Sequence, residues 1–406
     1  MRKIDTRRFV RATRSTPREI NRQILLNLVR EHQPISRADL ARRMVIGRGM
    51  ITALVDELLG EEAIYEGATV DAPRGRKPKM LYVRTRDRLV VGIDVRFTRT
   101  FLMLGDFGGT PVATESFDTL VEPTALVEAL VTRIRRLLRE HGAQGRCEGI
   151  GLVVPGMVDQ KTGRVLNSPQ LGWRDVDVKD AIEAGTGLPV FIENAPIACA
   201  LSHMWLGQHG AEASGDFAYV TVSDGVGVGM VVNGQVVRGQ GNTAGEFGHI
   251  AISLDGPTCL CGSQGCLEAY TSNIATLKRY LGRDLSPEQT RDLLRTSGLT
   301  VNDVIARARA DEPRAVAALD ETARYLGIGL ATVINALNPA QIIVGGELTA
   351  AWDRLAPIVD AEIAQRALTA AAAATPIIPE GAGVSPRLRG ATALVTAPVF
   401  AAPQVA

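Results

Sequence analysis

Apolar residues recur at helical spacing in three short stretches near the start of the chain. The first stretch begins at Thr16, ends before Pro34 and carries a stripe formed by Ile20, Ile24, Leu25, Leu28 and Val29. The second begins at Ser36, which with Asp39 has the form of a cap and a first-turn acid. After the apparent turn Val45-Ile46-Gly47, the third runs through Ile51, Leu54, Val55, Leu58 and Leu59. This order predicts a helix-turn-helix.

Two strand-like segments follow these helices and indicate the hairpin of a winged helix. They are residues 63–66 and 79–83, and the tip between them carries Arg74, Arg76 and Lys77. A thin cationic tip suits the narrow, electronegative minor groove of A·T-rich DNA. The third helix would enter the major groove, with its N-terminal side chains nearest the base edges: Arg48, Met50 and Thr52. An arginine there binds guanine with two hydrogen bonds or holds a phosphate.

Beyond residue 85 the pattern alternates between strands and helices. Residues 89–95, 100–104 and 112–117 predict three strands in a meander. A helix is predicted over 123–140, followed by a buried strand over 149–154. The chain is therefore expected to be an α/β protein with a small N-terminal head.

Charge separates the head from the body. Residues 1–90 contain 20 Lys and Arg against 11 Asp and Glu, whereas the remaining residues contain 25 against 33. A basic head on an acidic body favours a polyanion, operator DNA, as the partner of the head alone. Two alternatives stay open: a solvated charged surface, and a winged helix that makes only protein contacts.

Composition excludes several classes of protein. No uninterrupted apolar run reaches the ~18 residues that span a membrane, so no membrane partner is expected. The basic N-terminus is not followed by an apolar segment, as a secretory signal would be. Five cysteines, odd in number and clustered, do not suggest a disulfide scaffold. We therefore expect a cytoplasmic protein.

Three of the cysteines lie within eight residues and form a Cys3His set with a histidine upstream. The set is His249, Cys259, Cys261 and Cys266, and it suits a closed, tetrahedral, structural Zn²⁺ site. Glu246 and Glu268 flank these ligands without being needed for the metal. Such a zinc would hold a loop that presents both carboxylates and the free edge of the imidazole. The alternatives are a loop that binds metal only, and buried cysteines without metal.

The spacing Gly-Glu-x-Gly-His, followed by Cys-x-Cys-Gly-x-x-Gly-Cys-x-Glu, resembles the ROK family of repressors, open reading frames and sugar kinases. In that family the glutamates and the histidine hold sugar hydroxyls. The head also resembles the family's repressors, through Arg-x-x-Asn-Arg over 18–22 and a Gly-Arg-Lys-Pro wing. It departs from them at Gly47, Gly49 and Met50, where two glycines weaken the start of the third helix by up to ~1 kcal/mol each.

The resemblance implies a winged helix-turn-helix followed by a two-lobed actin-like ATPase fold. The head would comprise residues 1–85. The first α/β lobe would comprise 86–194, joined by a C-terminal helix within 381–406 that begins near Ala391. The second lobe, 195–380, would carry the zinc loop, the ligand site and the oligomerisation surface of a homodimer or homotetramer.

The parts that a ROK kinase uses for catalysis are altered in this sequence. The kinase base is the Asp of an Asn-Asp pair, which corresponds here to Asn194 and Ala195. The phosphate loop Asp-x-Gly-Gly-Thr corresponds to residues 94–98, where Arg96 and Phe97 replace the glycines. Phosphoryl transfer needs both a base and a phosphate cradle. We therefore expect no catalytic residue and no enzyme activity.

The residues on the sugar side are retained. The expected ligand-binding set is Gly156, Asn194, Glu246, His249 and Glu268. The sequence thus predicts a sugar-responsive regulator, a repressor of carbohydrate uptake or metabolism genes. Two alternatives stay open: an active ROK sugar kinase with a DNA-binding head, and a DNA-architectural protein whose body only oligomerises.

The effector is expected to be a sugar or a sugar phosphate. In the kinases the aspartate sits beside the 6-hydroxyl of the sugar, where a carboxylate would repel a phosphate. Ala195 removes that charge and opens space at the same point. The sequence therefore favours a 6-phosphorylated sugar over a free one, with Arg96 as a candidate partner for the phosphate. A site that has merely decayed and binds a free sugar more weakly is the alternative.

Overall fold

The computed structural model describes residues 15–69, 78–142, 145–206, 215–283, 285–381 and 385–402. The head contains the three predicted helices and a small antiparallel sheet in which β3 lies between β1 and β2. Its elements are α1 (Thr16–His32), β1 (Ile35–Ser36), α2 (Arg37–Met44), α3 (Arg48–Gly60), β2 (Ile64–Thr69) and β3 (Lys79–Val83). This is the predicted winged helix-turn-helix.

Local signals explain the bounds of α2 and α3. Ser36 and Asp39 form a reciprocal capping box at the start of α2. Val45 ends α2 in the left-handed region, with φ of 53°. Gly47 occupies the cap position of α3 and offers no side-chain acceptor to the first turn. The predicted turn over 45–47 is thus confirmed, and α3 begins without a side-chain cap.

The Arg-x-x-Asn-Arg segment of α1 holds α3 in place. Arg18 Nη2 lies 2.7 Å from Glu57 Oε2, and Arg22 pairs with both Glu57 and Glu61. Both acids belong to α3, so these ion pairs fix how α3 lies on α1. The second arginine is less exposed than the first, at 23% against 56%.

The first lobe is built on a five-stranded sheet of order β11-β7-β4-β5-β6. Strands β4 to β6 form the predicted antiparallel meander, and β4, β7 and β11 are parallel. The strands are β4 (Arg88–Val95), β5 (Arg99–Asp106), β6 (Pro111–Asp118), β7 (Arg146–Val154) and β11 (Val190–Asn194). Helices α4 (Pro123–His141) and α5 (Lys179–Thr186) bury Leu126, Leu130, Ile134 and Ile182 against the sheet. The remaining strands form a small sheet: β8 (Met157–Val158), β9 (Val165–Ser168) and β10 (Trp173–Val176).

The second lobe contains another five-stranded sheet, of order β14-β13-β12-β15-β16. Its strands are β12 (Phe217–Val222), β13 (Val226–Val232), β14 (Gln235–Val236), β15 (Gln341–Gly345) and β16 (Ile377–Pro379). Its helices are α6 (Ala195–Leu206), α7 (Glu268–Thr271), α8 (Asn273–Leu281), α9 (Pro287–Ser297), α10 (Val301–Arg309), α11 (Pro313–Leu337), α12 (Trp352–Arg366) and α13 (Ala370–Ala373). The largest apolar core lies between this sheet and the helices α8, α10, α11 and α12.

The last helix, α14 (Pro386–Phe400), returns to the first lobe and packs against β4, β7 and α6. It begins five residues before the expected Ala391. Glycines allow its close approach: a Cβ at Gly151 would lie 1.7 Å from the carbonyl oxygen of Ala391, and one at Gly390 would lie 2.6 Å from the carbonyl carbon of Ala198. None of the described helices is both long and apolar enough to cross a membrane.

Candidate functional site

The start of α3 presents the predicted DNA-contacting residues to solvent. Arg48, Met50 and Thr52 are all exposed, and Met50 retains 51% of its accessible surface. Arg48 has no ion-pair or hydrogen-bond partner among the residues that the structure describes. A guanidinium at this position is available for a base edge or a phosphate. The predicted wing residues Arg74, Arg76 and Lys77 lie outside the described residues.

The predicted metal ligands come together in the second lobe. One ligand atom from each of His249, Cys259, Cys261 and Cys266 lies within 4.8 Å of the other three. Cys259 Sγ is 3.7 Å from His249 Nδ1, and Cys261 Sγ is 3.7 Å from Cys266 Sγ. A tetrahedral zinc with Zn–S bonds of ~2.3 Å holds its sulfurs ~3.8 Å apart. The cluster therefore has the composition and the spacing of a site that could bind a metal.

His249 links the cysteines to the adjoining cleft. Its Nδ1 points at Cys259, whereas its Nε2 lies 3.8 Å from Glu246 Oε2. Burial lowers the pKa of this imidazole, which favours the neutral form that ligates metals. One ring can thus bind a metal through one nitrogen and present the other to the cleft.

All five predicted ligand-binding residues line one cleft between the lobes. Gly156 and Asn194 come from the first lobe, and Glu246, His249 and Glu268 come from the second. Gly156 has a φ of 98°, and a Cβ there would lie 2.2 Å from the carbonyl oxygen of Asn167. Only glycine fits this turn, which brings the backbone after β7 to the edge of the cleft.

Of the two carboxylates of the cleft, Glu268 is buried and Glu246 is partly buried. Glu268, the first residue of α7, is 6% exposed and accepts a hydrogen bond of 2.9 Å from the backbone N–H of Val226. Burial raises the pKa of Glu268 to about 7 and raises the pKa of Glu246 in the same direction. Buried carboxylates are stabilised by hydrogen bonds, which vicinal hydroxyls of a ligand would donate.

Asn194 both lines the cleft and caps the following helix. Its Oδ1 accepts a hydrogen bond of 3.2 Å from the backbone N–H of Ile197, in the first turn of α6. This bond fixes the side chain, and it leaves the amide Nδ2 as the donor for a ligand. The capping role and the ligand role that the sequence left as alternatives are thus compatible.

The model of the ROK family matches residues 90–397, which is most of the chain. The chain belongs to the ROK family. It is 28% identical over 382 residues to the xylose repressor of Bacillus subtilis (strain 168), covering 93% of this chain and 95% of the relative. It also resembles the crystal structure of a ROK family transcriptional regulator described as a homologue of the E. coli MLC protein. The TM-score is 0.76 at 26% identity, over 95% of this chain and 97% of that chain.

The body alone resembles a ROK kinase. A Streptomyces griseus glucokinase, solved with glucose and AMPPNP, matches with a TM-score of 0.64 and 28% identity. The match covers 75% of this chain and 98% of that one. The ROK family thus includes both regulators and kinases, and the fold predicted from the sequence, a winged helix before an actin-like body, is confirmed.

In this ROK protein, side chains fill the segment that corresponds to the phosphate loop. Arg96 Nε lies 2.6 Å from Asp94 Oδ2, and its Nη1 lies 2.6 Å from Glu347 Oε1 in the second lobe. Phe97 is 1% exposed, and the guanidinium of Arg291 lies 4.4 Å from the centre of its ring. Arg96 and Phe97 thus place two large side chains, both engaged in contacts, at the positions compared above with the glycines of the kinase loop.

The position of the kinase base is apolar here. Ala195 is the first residue of α6, is 7% exposed and lines the cleft beside Asn194. A methyl group cannot accept the proton of a sugar hydroxyl. The carboxylates that do line the cleft, Glu246 and Glu268, lie on the side of the His249 and cysteine cluster.

Sequence reasoning missed several residues of this cleft, among them Thr221, Ser223 and Arg387. Arg387, in the first turn of α14, lines the cleft together with Ala195 and is 8% exposed. Arg96, the sequence candidate for a phosphate partner, is not among the residues that line this cleft, because Asp94 and Glu347 hold it in the neighbouring cavity. The sequence around Arg387 carries no motif that links it to the cleft. The predicted ligand-binding residues lie about 120 to 230 positions earlier in the chain.

Proposed function

We propose that this ROK protein is a sugar-responsive transcriptional repressor of carbohydrate uptake or metabolism genes. The proposal rests on a difference between the sugar side and the phosphate side of the two-lobed body. The five sugar-side residues share a cleft, whereas Arg96 and Phe97 fill the phosphate loop and Ala195 replaces the base. A body with these features suits binding rather than phosphoryl transfer. We therefore propose that it is not an enzyme.

The proposed ligand is a sugar or a sugar phosphate. Asn194 would donate a hydrogen bond to it, while Glu246 and Glu268 would accept bonds from vicinal hydroxyls. His249 would contribute the nitrogen that faces away from the cysteines. The relationship to a xylose repressor supports a sugar, and it makes D-xylose one of the first compounds to test.

A structural Zn²⁺ is the proposed metal of the Cys3His cluster. Three thiolates and one imidazole suit zinc in a closed tetrahedral site. The metal would hold the loop between Glu246 and Glu268, so the spacing of the two carboxylates would depend on it. Zinc would therefore be structural, with an indirect effect on sugar binding.

The proposed DNA-binding form is a homodimer or homotetramer on a two-fold operator. Each chain supplies one recognition helix, α3, and a winged helix-turn-helix usually reads two half-sites as a dimer. The ligand would close the cleft between the lobes and change the spacing of the two heads. Such a ligand shifts DNA affinity only through its different affinities for the two states.

The direct test is operator selection followed by titration with sugars. Duplexes selected from a random pool would be titrated by fluorescence anisotropy with and without D-xylose, D-glucose, N-acetylglucosamine and their phosphates. We expect at least one sugar to change the Kd for DNA by about 5- to 150-fold. No change with any sugar, or sugar-dependent formation of ADP, would contradict the proposal.

A further inference from the structure

The last helix connects the cleft to the DNA-binding head. Helix α14 has 15 residues, which corresponds to ~22 Å. Its first turn carries Arg387, which lines the same cleft as Ala195. Its last turn lies under α1 of the head, where Phe400 is 5% exposed. The two ends of one helix thus lie at the two sites whose coupling a sugar-responsive repressor requires.

At the head, the end of α14 is held by specific hydrogen bonds. Gln23 Nε2 donates to the carbonyl of Val399, and Asn27 Nδ2 donates to the carbonyl of Phe400, both at 2.8 Å. The guanidinium of Arg30 lies 5.1 Å from the centre of the Phe400 ring. These bonds also satisfy carbonyls that the end of a helix leaves without partners. The position of α1 therefore follows the position of the last turn of α14.

Helix α6 makes a second connection between the same two sites. Its first residue, Ala195, lines the cleft, and the carbonyl of Trp205 near its end accepts a 3.0 Å hydrogen bond from Arg30 Nη1. Helices α6 and α14 pack closely where Gly390 meets Ala198. The side chain of Arg389 also donates to the carbonyl of Leu206. The two helices therefore form one packed unit between the cleft and α1.

At the cleft, Arg387 pairs with a buried carboxylate, and an oxygen of a ligand would compete with that carboxylate for the guanidinium. Arg387 Nε lies 2.8 Å from Asp94 Oδ1, and its Nη2 donates to the carbonyl of Val95 at 3.3 Å. Asp94 is fully buried and also pairs with Arg96. A sugar hydroxyl or phosphate oxygen placed beside Ala195 would share or displace the contact of Arg387 with Asp94. Such a change acts directly on the first turn of α14.

We propose that Arg387 is the ligand-sensing residue of the cleft and that α14 transmits its state to α1 of the head. The proposal rests on the proposed function, since it requires a sugar effector. Binding would shift α14, and α6 with it, relative to the first-lobe sheet. Tightly packed helices move as units, so a small shift at Arg387 would reach Gln23 and Asn27.

The test at the head end uses the double variant Gln23→Ala/Asn27→Ala in the full-length protein. The control is Asn335→Ala, which removes a comparable side-chain amide bond, to the carbonyl of Arg366, in the second lobe. D-xylose, D-glucose and glucose 6-phosphate serve as probes. Each protein is measured for the melting shift caused by the probe and for the ratio of the DNA Kd with and without it.

We expect the double variant to keep the wild-type melting shift on addition of the probe. The ratio of its DNA Kd values with and without the probe should fall to less than about twofold. The Asn335→Ala control should keep both. A double variant that retains the wild-type ratio would overturn the proposal and leave the proposed function intact. A wild-type ratio of one with every probe would instead overturn the proposed function, and this inference with it.

The test at the cleft end uses Arg387→Lys, which keeps a positive charge for Asp94 but removes the planar fork. We expect the ratio of its DNA Kd values with and without the probe to fall at least about fivefold relative to the wild-type ratio. If the ratio falls more with glucose 6-phosphate than with D-glucose, Arg387 contacts the phosphate of the ligand. If it falls equally with both, Arg387 contacts a hydroxyl. A wild-type ratio in Arg387→Lys would exclude Arg387 as the sensing residue.

Discussion

Arg96 and Glu347 form a salt bridge of 2.6 Å that joins the two lobes. The arginine follows β4 of the first lobe, and the glutamate follows β15 of the second. Glu347 also accepts a hydrogen bond of 2.7 Å from Asn273 Nδ2. The protein thus places a guanidinium, held by carboxylates of both lobes, in the cavity that Arg96 and Glu347 line.

The first prediction concerns catalysis. Because Ala195 cannot act as a base and Arg96 with Phe97 fills the phosphate loop, we expect no sugar-dependent ATP consumption. A positioned general base is worth ~10²- to 10⁴-fold in rate. A coupled assay for ADP with D-glucose, D-xylose and N-acetylglucosamine checks this. ADP formation in the wild type that disappears in Glu246→Ala would show that the cleft is catalytic after all.

The second prediction concerns the metal. We expect one zinc per chain by elemental analysis, bound through His249, Cys259, Cys261 and Cys266. Cys261→Ser should lose the zinc and the sugar-induced melting shift together, since the metal holds the loop between Glu246 and Glu268. Cys147→Ser is the matched control, because Cys147 is a free, partly buried cysteine of β7 outside the cluster. Purified wild-type protein without zinc would disprove the assignment.

The third prediction concerns DNA recognition. Binding should weaken steeply with salt, because cationic side chains displace counterions from the duplex. Arg48→Ala should cost about 1–3 kcal/mol at one preferred base pair. Arg366→Ala, on α12 of the body, should leave the affinity unchanged. Competition titrations with single-base operator variants measure the affinities of both protein variants. If Arg48→Ala loses the same affinity for every operator variant, Arg48 contacts a phosphate and not a base.

The fourth prediction concerns the wing. Arg76→Ala should weaken binding most on operators with an A·T-rich flank, where the minor groove is narrow and strongly negative. The same duplexes with G·C-rich flanks provide the comparison. If Arg76→Ala loses the same affinity for duplexes with A·T-rich and with G·C-rich flanks, the wing contacts phosphates only.

The fifth prediction concerns pH and Glu380. This partly buried carboxyl accepts a hydrogen bond from the Tyr219 hydroxyl, and burial raises its pKa to about 7 from an ordinary 4.5. The native state therefore binds this proton more tightly than the unfolded state does. Its contribution to stability is complete below pH 4.5 and is lost as the pH rises through 7.

Glu380→Gln removes this titration and keeps an acceptor for the tyrosine. We expect the variant to be more stable than the wild type at pH 8, by on the order of 1 kcal/mol, with a smaller difference at pH 5. Urea unfolding at both pH values measures it, with the exposed Glu128→Gln as control. An identical difference at both pH values would exclude the titration of Glu380 as the cause.

The choice between a free and a phosphorylated effector can be tested with Ala195→Asp. A restored carboxylate should weaken binding of a 6-phosphosugar through charge repulsion and should leave or improve binding of the free sugar. Isothermal titration with glucose and glucose 6-phosphate compares the two. Tighter binding of the phosphosugar by the variant would reject a phosphate at this position.

The sequence predicted the parts of the site that are set by local spacing. The four proposed metal ligands fall within eighteen residues, so a short loop brings them together. Gly156 and Asn194 lie at the ends of the parallel strands β7 and β11, which meet at the cleft. Arg387 was not predicted, because it reaches the cleft only through the packing of α14 against β7. The ion pairs from Arg18 and Arg22 to α3 were also missed, since their acids lie about 39 residues away on another helix.

The missing side-chain cap at Gly47 has a consequence for how the head binds DNA. The first two N–H groups of α3, those of Arg48 and Gly49, receive no acceptor from a side chain of the cap residue, whereas the N–H groups of Met50 and Ile51 donate to the Gly47 carbonyl. A backbone phosphate of the duplex is an anion suited to that position. The nucleic acid would then complete the secondary structure of the protein that reads it.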